Sequence, residues 1–309
     1  MISGVHDPQL DTAIAAVPEW DGLQIGVTPI TTGITNRNFM IEAGNEVFVL
    51  RLAGKDTDLL GIDREAECEA GRAAAAAGVG PEIYRWLPLH ACLITRFVSG
   101  SHVPEADLQR EDVLTSVVGS VRAFHACPPI DAEFPVFRIV ESYGRIASDR
   151  GVTVPKSQYE AAHEVAERIE AAFTNAPMTP VPCHNDLLNA NFLRDGDHVW
   201  IVDYEYAGMG DAFFDLGNLS VNNGLTPEAQ EILLQLYFGQ VRDVHRARLA
   251  LMQLMSDFRE AMWGVVQQGI STLDVDYVAY ADRHFGRLLT NAADDRFADW
   301  LAAARVPVR

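Results

Sequence analysis

The chain has 309 residues, enough for two domains or one two-lobed body, and its 48% hydrophobic and 22% charged content can build a buried core. Lysine and arginine together number 24 against 43 aspartate and glutamate, a formal net charge of −19. So acidic a surface repels phosphate backbones and anionic lipid, which argues against nucleic-acid and membrane partners and favours a small, cationic ligand.

The first residues lack the apolar run of a signal segment, and no stretch approaches bilayer-spanning length. Cys68, Cys92, Cys127 and Cys183 form no CxxC pair, so neither a disulfide framework nor a zinc site is expected. These features predict a cytoplasmic protein with reduced thiols.

In chain order, "GVTPITTGITNRNFMIEA" places two apolar runs around a polar connection at 31–38. "EVFVLRLAG" then alternates, with Phe48, Leu50 and Leu52 on one face and Val47, Val49 and Arg51 on the other. A helix is expected over 58–77, stopping before Gly78 and Gly80-Pro81. Strands follow at 83–86 and 91–98, closed by Ser99-Gly100. Helices are then predicted at 109–126, 137–149, 157–174, 227–238, 246–268, 275–291 and 295–304. The organisation is α+β: a small β-rich lobe over 1–98 and a larger helical lobe over 99–309, with a cleft between them.

One strand-like stretch interrupts the helical part, "PCHNDLLNANFLRDGDHVWIVDYE" from Pro182 to Glu205. Asp195-Gly196 signals a tight turn between two short strands. Folding about it brings Asn191 and Asp203 to the same open end, with Asp186 five residues upstream of Asn191. A carboxylate beside an amide oxygen makes a partial shell for Mg²⁺, which fills its octahedron with water and substrate phosphates. A second carboxylate outside that shell can receive a proton from a hydroxyl. Any one of these residues alone would read as loop decoration; together, at this spacing, they match a phosphoryl-transfer site.

Here the chain becomes recognisable. "HNDLLNAN" resembles the H-x-D-x-x-x-x-N loop of the protein-kinase-like superfamily, and "VDYEYAGMGDAFFDLGN" is similar to choline/ethanolamine kinases and their aminoglycoside-phosphotransferase relatives. "GITNRNF", "VLRLAG", "DREAE", "GVGPEIY", "WGVVQQGIS" and "YVAYADRHF" continue the likeness in order over roughly residues 25–290. The resemblance implies a bilobal protein-kinase-like fold that uses ATP and Mg²⁺. It makes Asp186 the catalytic base and gives the metal to Asn191 and Asp203, with His184 and Asp215 as structural support. It places Gly33, Thr35 and Asn36 in the nucleotide loop, Arg51 on the phosphates with Glu67 (less well Glu65) as its partner, and Thr95 and Phe97 beside adenine.

The same resemblance makes Tyr206, Trp263 and Tyr280 an aromatic cage for an ammonium group. Alone, a helical Trp263 would read as core. Two positions depart from the pattern: Asn222 stands where eukaryotic choline kinases carry an acid, and Val275 where an aromatic residue is usual. The implied activity is transfer of the γ-phosphoryl of ATP to choline, or second to ethanolamine. A thiamine-, aminoglycoside- or sugar-type acceptor is the alternative within the class, and a catalytically inactive nucleotide-binding regulator the alternative outside it.

Overall fold

The structure, a computed structural model, describes residues 2–4, 7–30, 36–271 and 273–308. Gly33 and Thr35, expected in a nucleotide loop, lie outside the described residues.

The first part is a six-stranded sheet with two helices. Its elements are β1 (Ile2–Gly4), α1 (Pro8–Ala15), β2 (Ile25–Ile30), β3 (Arg37–Ala43), β4 (Glu46–Leu52), α2 (Arg64–Ala76), β5 (Ile83–Leu87) and β6 (Cys92–Arg96). The spatial order is β1-β2-β3-β4-β6-β5, antiparallel except for the β1–β2 pair. The alternation in β4 sets its orientation: Phe48, Leu50 and Leu52 are fully buried against Leu10 and Ile14 of α1, with Trp20, in a core of their own. The opposite face of β4, carrying Val49 and Arg51, is left for the cleft.

The helix expected over 58–77 is broken. Thr57–Leu60 forms a separate 3₁₀ turn, ended by Gly61 at φ +76°. α2 then starts afresh at Asp63, whose carboxylate caps the amides of Glu65 and Ala66 at 2.9 and 3.2 Å.

The second part is mainly helical: α3 (Glu111–His125), α4 (Val136–Asp149), α5 (Lys156–Thr174), α6 (Ala212–Asn222), α7 (Pro227–Phe238), α8 (Asp243–Ile270), α9 (Tyr277–Ala292) and α10 (Phe297–Ala303). α8, 28 residues long, is buried on most of its circumference, with α4, α6, α9 and α10 packed around it. The approach of α6 depends on Gly217, where an added Cβ would stand 2.7 Å from the Met252 carbonyl carbon. Besides the expected hairpin, β7 (Ser101–His102) adds a third strand to β9 (Phe192–Asp195) and β10 (His198–Ile201), while β8 (Val181–Cys183) pairs with β11 (Gly208–Gly210). These short pairings tie the site-bearing loops to the helices.

Candidate active site

The hairpin register is Phe192↔Ile201 and Asp195↔His198, so the two turn residues are Gly196 and Asp197, with Gly196 at φ +62°. Beyond the open end the Val202 amide donates to the Asn191 carbonyl at 3.0 Å. Asn191 and Asp203 thus emerge together. The Asn191 side-chain amide donates to the Asp186 carbonyl oxygen at 2.9 Å and lies 3.4 Å from its carboxylate Oδ2, which brings Asp186 to the same point.

α6 fixes the loop that carries Asp186. Asp215, fully buried, accepts the amides of His184 and Asn185 at 2.8 and 2.6 Å, and His125 Nε2 at 2.9 Å. On the same helix Asn218 accepts the Leu187 amide at 2.6 Å, and the following Asn223 accepts that of Asn189 at 2.7 Å. Buried amides must find acceptors, and α6 supplies them from its side chains. His184 Nε2 bonds the Val202 carbonyl at 3.0 Å, and burial lowers its pKa, keeping it neutral. His125, Cys183 and Asp215 lie within 4.8 Å of one another, but the Asp215 oxygens are already taken by two amides and an imidazole. Asn185 and Asp203 both sit at positive φ, +66° and +69°. For a non-glycine residue this costs about 1 kcal/mol or more, here held in place by the surrounding bonds.

A cavity of about 390 Å³ opens between the sheet and the hairpin. Asn38, Met40, Val49, Arg51 and Thr95 line one wall, and Asn191, Leu193 and Asp203 the other. Phe97 lines it too, with its amide donating to the Val47 carbonyl at 3.0 Å. Arg51 reaches across to Asp203 while also pairing with Glu67 on α2. Glu65 is elsewhere, accepting from Trp86 Nε1 at 2.8 Å.

Arg64 and Glu205 extend this chain of charges, and sequence reasoning gave neither of them a role. Arg64 Nη1 lies 2.7 Å from Glu67 Oε2 and 3.1 Å from Glu205 Oε2, and its Nη2 donates to Asn36 Oδ1 at 3.0 Å. Asn36 returns a bond to Glu205 at 2.8 Å. Burial, then the nearby Asp203 charge, raises the Glu205 pKa, with Arg51 and Arg64 opposing. Both residues stood inside the quoted motifs "DREAE" and "VDYEYAG", but they lie 141 positions apart.

On the other side of Asp186 the three aromatic residues do meet. Trp263 Nε1 donates to the Tyr206 hydroxyl at 3.0 Å, and the Trp263 and Tyr280 rings are 5.5 Å apart. The Tyr280 hydroxyl donates to Glu260 Oε2 at 2.6 Å. Arg259 enters this group from α8, its Nη1 2.7 Å from Glu260 Oε1 and 3.5 Å from Asp186 Oδ1. Burial pushes the Asp186 carboxyl up to about 7; Arg259 opposes the rise, while Glu260, Asp203 and Glu205 add to it. Arg259 and Glu260 had no expected part, although a charged pair within "MSDFREAMW" is unusual for the middle of a buried helix.

Residues 26–251 match the model of the phosphotransferase enzyme family. A solved choline/ethanolamine kinase family protein from Mesorhizobium loti is 31% identical and superposes with a TM-score of 0.82, over 96% of this chain and 99% of that one. The chain belongs to this choline/ethanolamine kinase family. Its α+β architecture is the protein-kinase-like fold of the family. The Haemophilus influenzae protein LicA is 25% identical over 225 residues, 71% of this chain but only 65% of LicA, so the match spans less than two thirds of that relative. Human ethanolamine kinase 1 is 25% identical over 87% of this chain and 68% of its own length.

This choline/ethanolamine kinase family member keeps its departures in the folded structure. Asn222 donates to Glu260 Oε1 at 3.4 Å and accepts from Arg287 at 3.3 Å, so it belongs to the polar surround of Glu260. Val275 is 40% exposed and precedes α9, adding no ring to the cluster. Among the described residues, no helix is long and apolar enough to cross a membrane.

Proposed function

We propose that the protein transfers the γ-phosphoryl group of ATP to the hydroxyl of choline or ethanolamine, using Mg²⁺. The observation that carries this reading is the convergence of Asp186, Asn191 and Asp203 at one hairpin end facing a cavity with an arginine on its opposite wall. Such chemistry needs positioning and charge neutralisation more than covalent catalysis.

The donor set suits a hard divalent ion. With its amide nitrogen engaged by Asp186, Asn191 offers its carbonyl oxygen, and Asp203 keeps one carboxylate oxygen beyond its Arg51 contact. Asn191 and Asp203 would hold Mg²⁺, which when bound neutralises charge on the phosphates. Arg51 would bind the phosphates, held in place by Glu67. Asn36 would form the far end of the nucleotide loop, with Gly33 and Thr35 before it.

The wall near Thr95 and Phe97 would receive adenine. The Arg96 and Phe97 amides are engaged by the Glu82 and Val47 carbonyls, so hydrogen bonds to the base would come from the other backbone groups of this segment. Asp186 would accept a hydrogen bond from the acceptor hydroxyl, align its oxygen for in-line attack and take its proton as the new bond forms. Tyr206, Trp263 and Tyr280 would border the amino-alcohol, while His184 and Asp215 hold the loop.

The test is ATP turnover with Mg²⁺ against choline, ethanolamine, thiamine and kanamycin. Phosphorylation of choline or ethanolamine is expected. Turnover confined to thiamine or kanamycin would move the acceptor class, and nucleotide binding without any turnover would favour a regulator.

A further inference from the structure

The acceptor side of the site already contains a cation of its own. The Arg259 guanidinium carbon stands 4.2 Å from the centroid of the Tyr206 ring, within cation–π range, on a residue that is 1% exposed. The same guanidinium contacts Asp186 and Glu260, the two carboxylates available to balance an incoming ammonium.

Arg259 is held differently from an arginine anchored by main-chain carbonyls. Its Nε and Nη2 are buried without a hydrogen-bond partner. Arg248, buried in the same helix, likewise leaves Nε without a partner and stands 4.3 Å from the Phe173 ring beside Asp211, but its Nη2 donates to the carbonyls of Ala176 and Ala304. Buried guanidinium donors are normally met by acceptors. Arg259, with the Tyr143 hydroxyl beside it, is held by a ring face and two acids, and a ring face with acids is also what recognises an ammonium ligand.

We propose that Arg259 determines acceptor specificity by occupying the cation seat on Tyr206, so that the site selects an alcohol bearing a primary amine over one bearing a quaternary ammonium. The proposal rests on the amino-alcohol reading given above. A trimethylammonium group cannot hydrogen-bond; its binding depends on aromatic faces and a negative field, and here one face is covered and the field offset. A primary ammonium has three N–H donors and can hydrogen-bond carboxylate oxygens, each of which accepts more than one bond, without needing the Tyr206 face.

The test compares kcat/KM for ethanolamine and choline in the wild type and in Arg259→Leu, together with calorimetric titration of each protein with tetramethylammonium chloride. Arg259 also touches Asp186, so its loss lowers kcat with both alcohols. The ratio of the two kcat/KM values cancels that common effect and reads the acceptor seat alone. The wild type should favour ethanolamine by about tenfold or more and bind tetramethylammonium undetectably. Arg259→Leu should shift the ratio toward choline by at least about tenfold and gain tetramethylammonium binding.

Should the leucine variant fail to fold, Arg259→Gln removes the charge but keeps a donor for Glu260. The wild-type measurements stand independently of either variant. A wild type that uses choline as well as ethanolamine, or binds tetramethylammonium as tightly as the variants do, overturns the proposal. Turnover of neither alcohol, with tetramethylammonium binding gained on substitution, would reject the amino-alcohol reading and retain the seat; no turnover and no gain would reject both.

Discussion

Replacing Asp215 by asparagine keeps the shape of the side chain and removes one acceptor oxygen. In the wild type Oδ2 accepts the His184 amide and His125 Nε2, and Oδ1 accepts the Asn185 amide. An asparagine that places its carbonyl oxygen at the Oδ2 position retains two bonds in weakened, uncharged form and turns its NH₂ toward the Asn185 N–H. A buried donor left facing another donor costs about 1–3 kcal/mol, and losing the charge from the other two bonds adds to that, for roughly 2–4 kcal/mol overall. Urea unfolding, with an m-value of about 3 kcal/mol/M for a chain of this size, should show a midpoint lower by about 1 M and an unchanged slope. Because Asn185 directly precedes Asp186, kcat should fall by about ten- to a hundredfold while KM for ATP changes little. The exposed pair Lys156–Glu160, at 3.8 Å, supplies the control: Glu160→Gln should leave both the midpoint and kcat where they were. An Asp215→Asn protein matching the wild type in midpoint to within about 0.2 M, and in kcat, would refute the claim that α6 holds the loop through this carboxylate.

Asp186→Asn should cut phosphoryl transfer by about a thousandfold or more and leave nucleotide affinity nearly intact, since its side chain contacts Asn191 and Arg259 and does not line the cavity proposed for the nucleotide; unaltered turnover would remove it from the chemistry. Arg64→Gln leaves the buried Glu205 without its ion-pair partner, while Glu67 keeps Arg51, so a loss of about 3 kcal/mol and a clear drop in Tm are expected, and an unchanged melting curve would show the pairing to be dispensable. His245, buried and stacked on Phe238, has a pKa held below 6.5, first by burial and then by Arg242. The unfolded chain therefore binds the proton more readily: stability from this group is fully present above pH 6.5 and is lost as pH falls through the folded pKa. His245→Asn should flatten the pH dependence of the urea midpoint below 6.5, and an identical slope in both proteins would mean the histidine titrates freely.

The hairpin was legible because its logic is local. A period-two pattern, a glycine turn and the register they impose decide where Asn191 and Asp203 come out, and no distant residue can change that without breaking the strands. The same holds for the two faces of β4, where alternation puts Phe48, Leu50 and Leu52 inward and leaves Arg51 for the cleft. Locality also explains a failure: the run over 58–77 favours helix throughout, but Gly61 at φ +76° and the Asp63 cap set a boundary that propensity alone places poorly.

Where the site depends on contacts between distant segments, the sequence loses its grip. Asn218 and Asn223 look like ordinary polar positions at the end of a helix, and only the fold reveals that the amides they satisfy belong to Leu187 and Asn189. Arg259 shows the limit most clearly. The charged pair it forms with Glu260 is visible in "MSDFREAMW", yet neighbours on a helix at i and i+1 do not face one another by default. Their joint orientation toward Asp186 and Tyr206 follows from the burial of α8 on most of its sides, which leaves a charged side chain no route to water and obliges it to find acids and a ring within the core. The aromatic positions could be carried over from the family likeness, but the cation placed among them was found only in the folded structure.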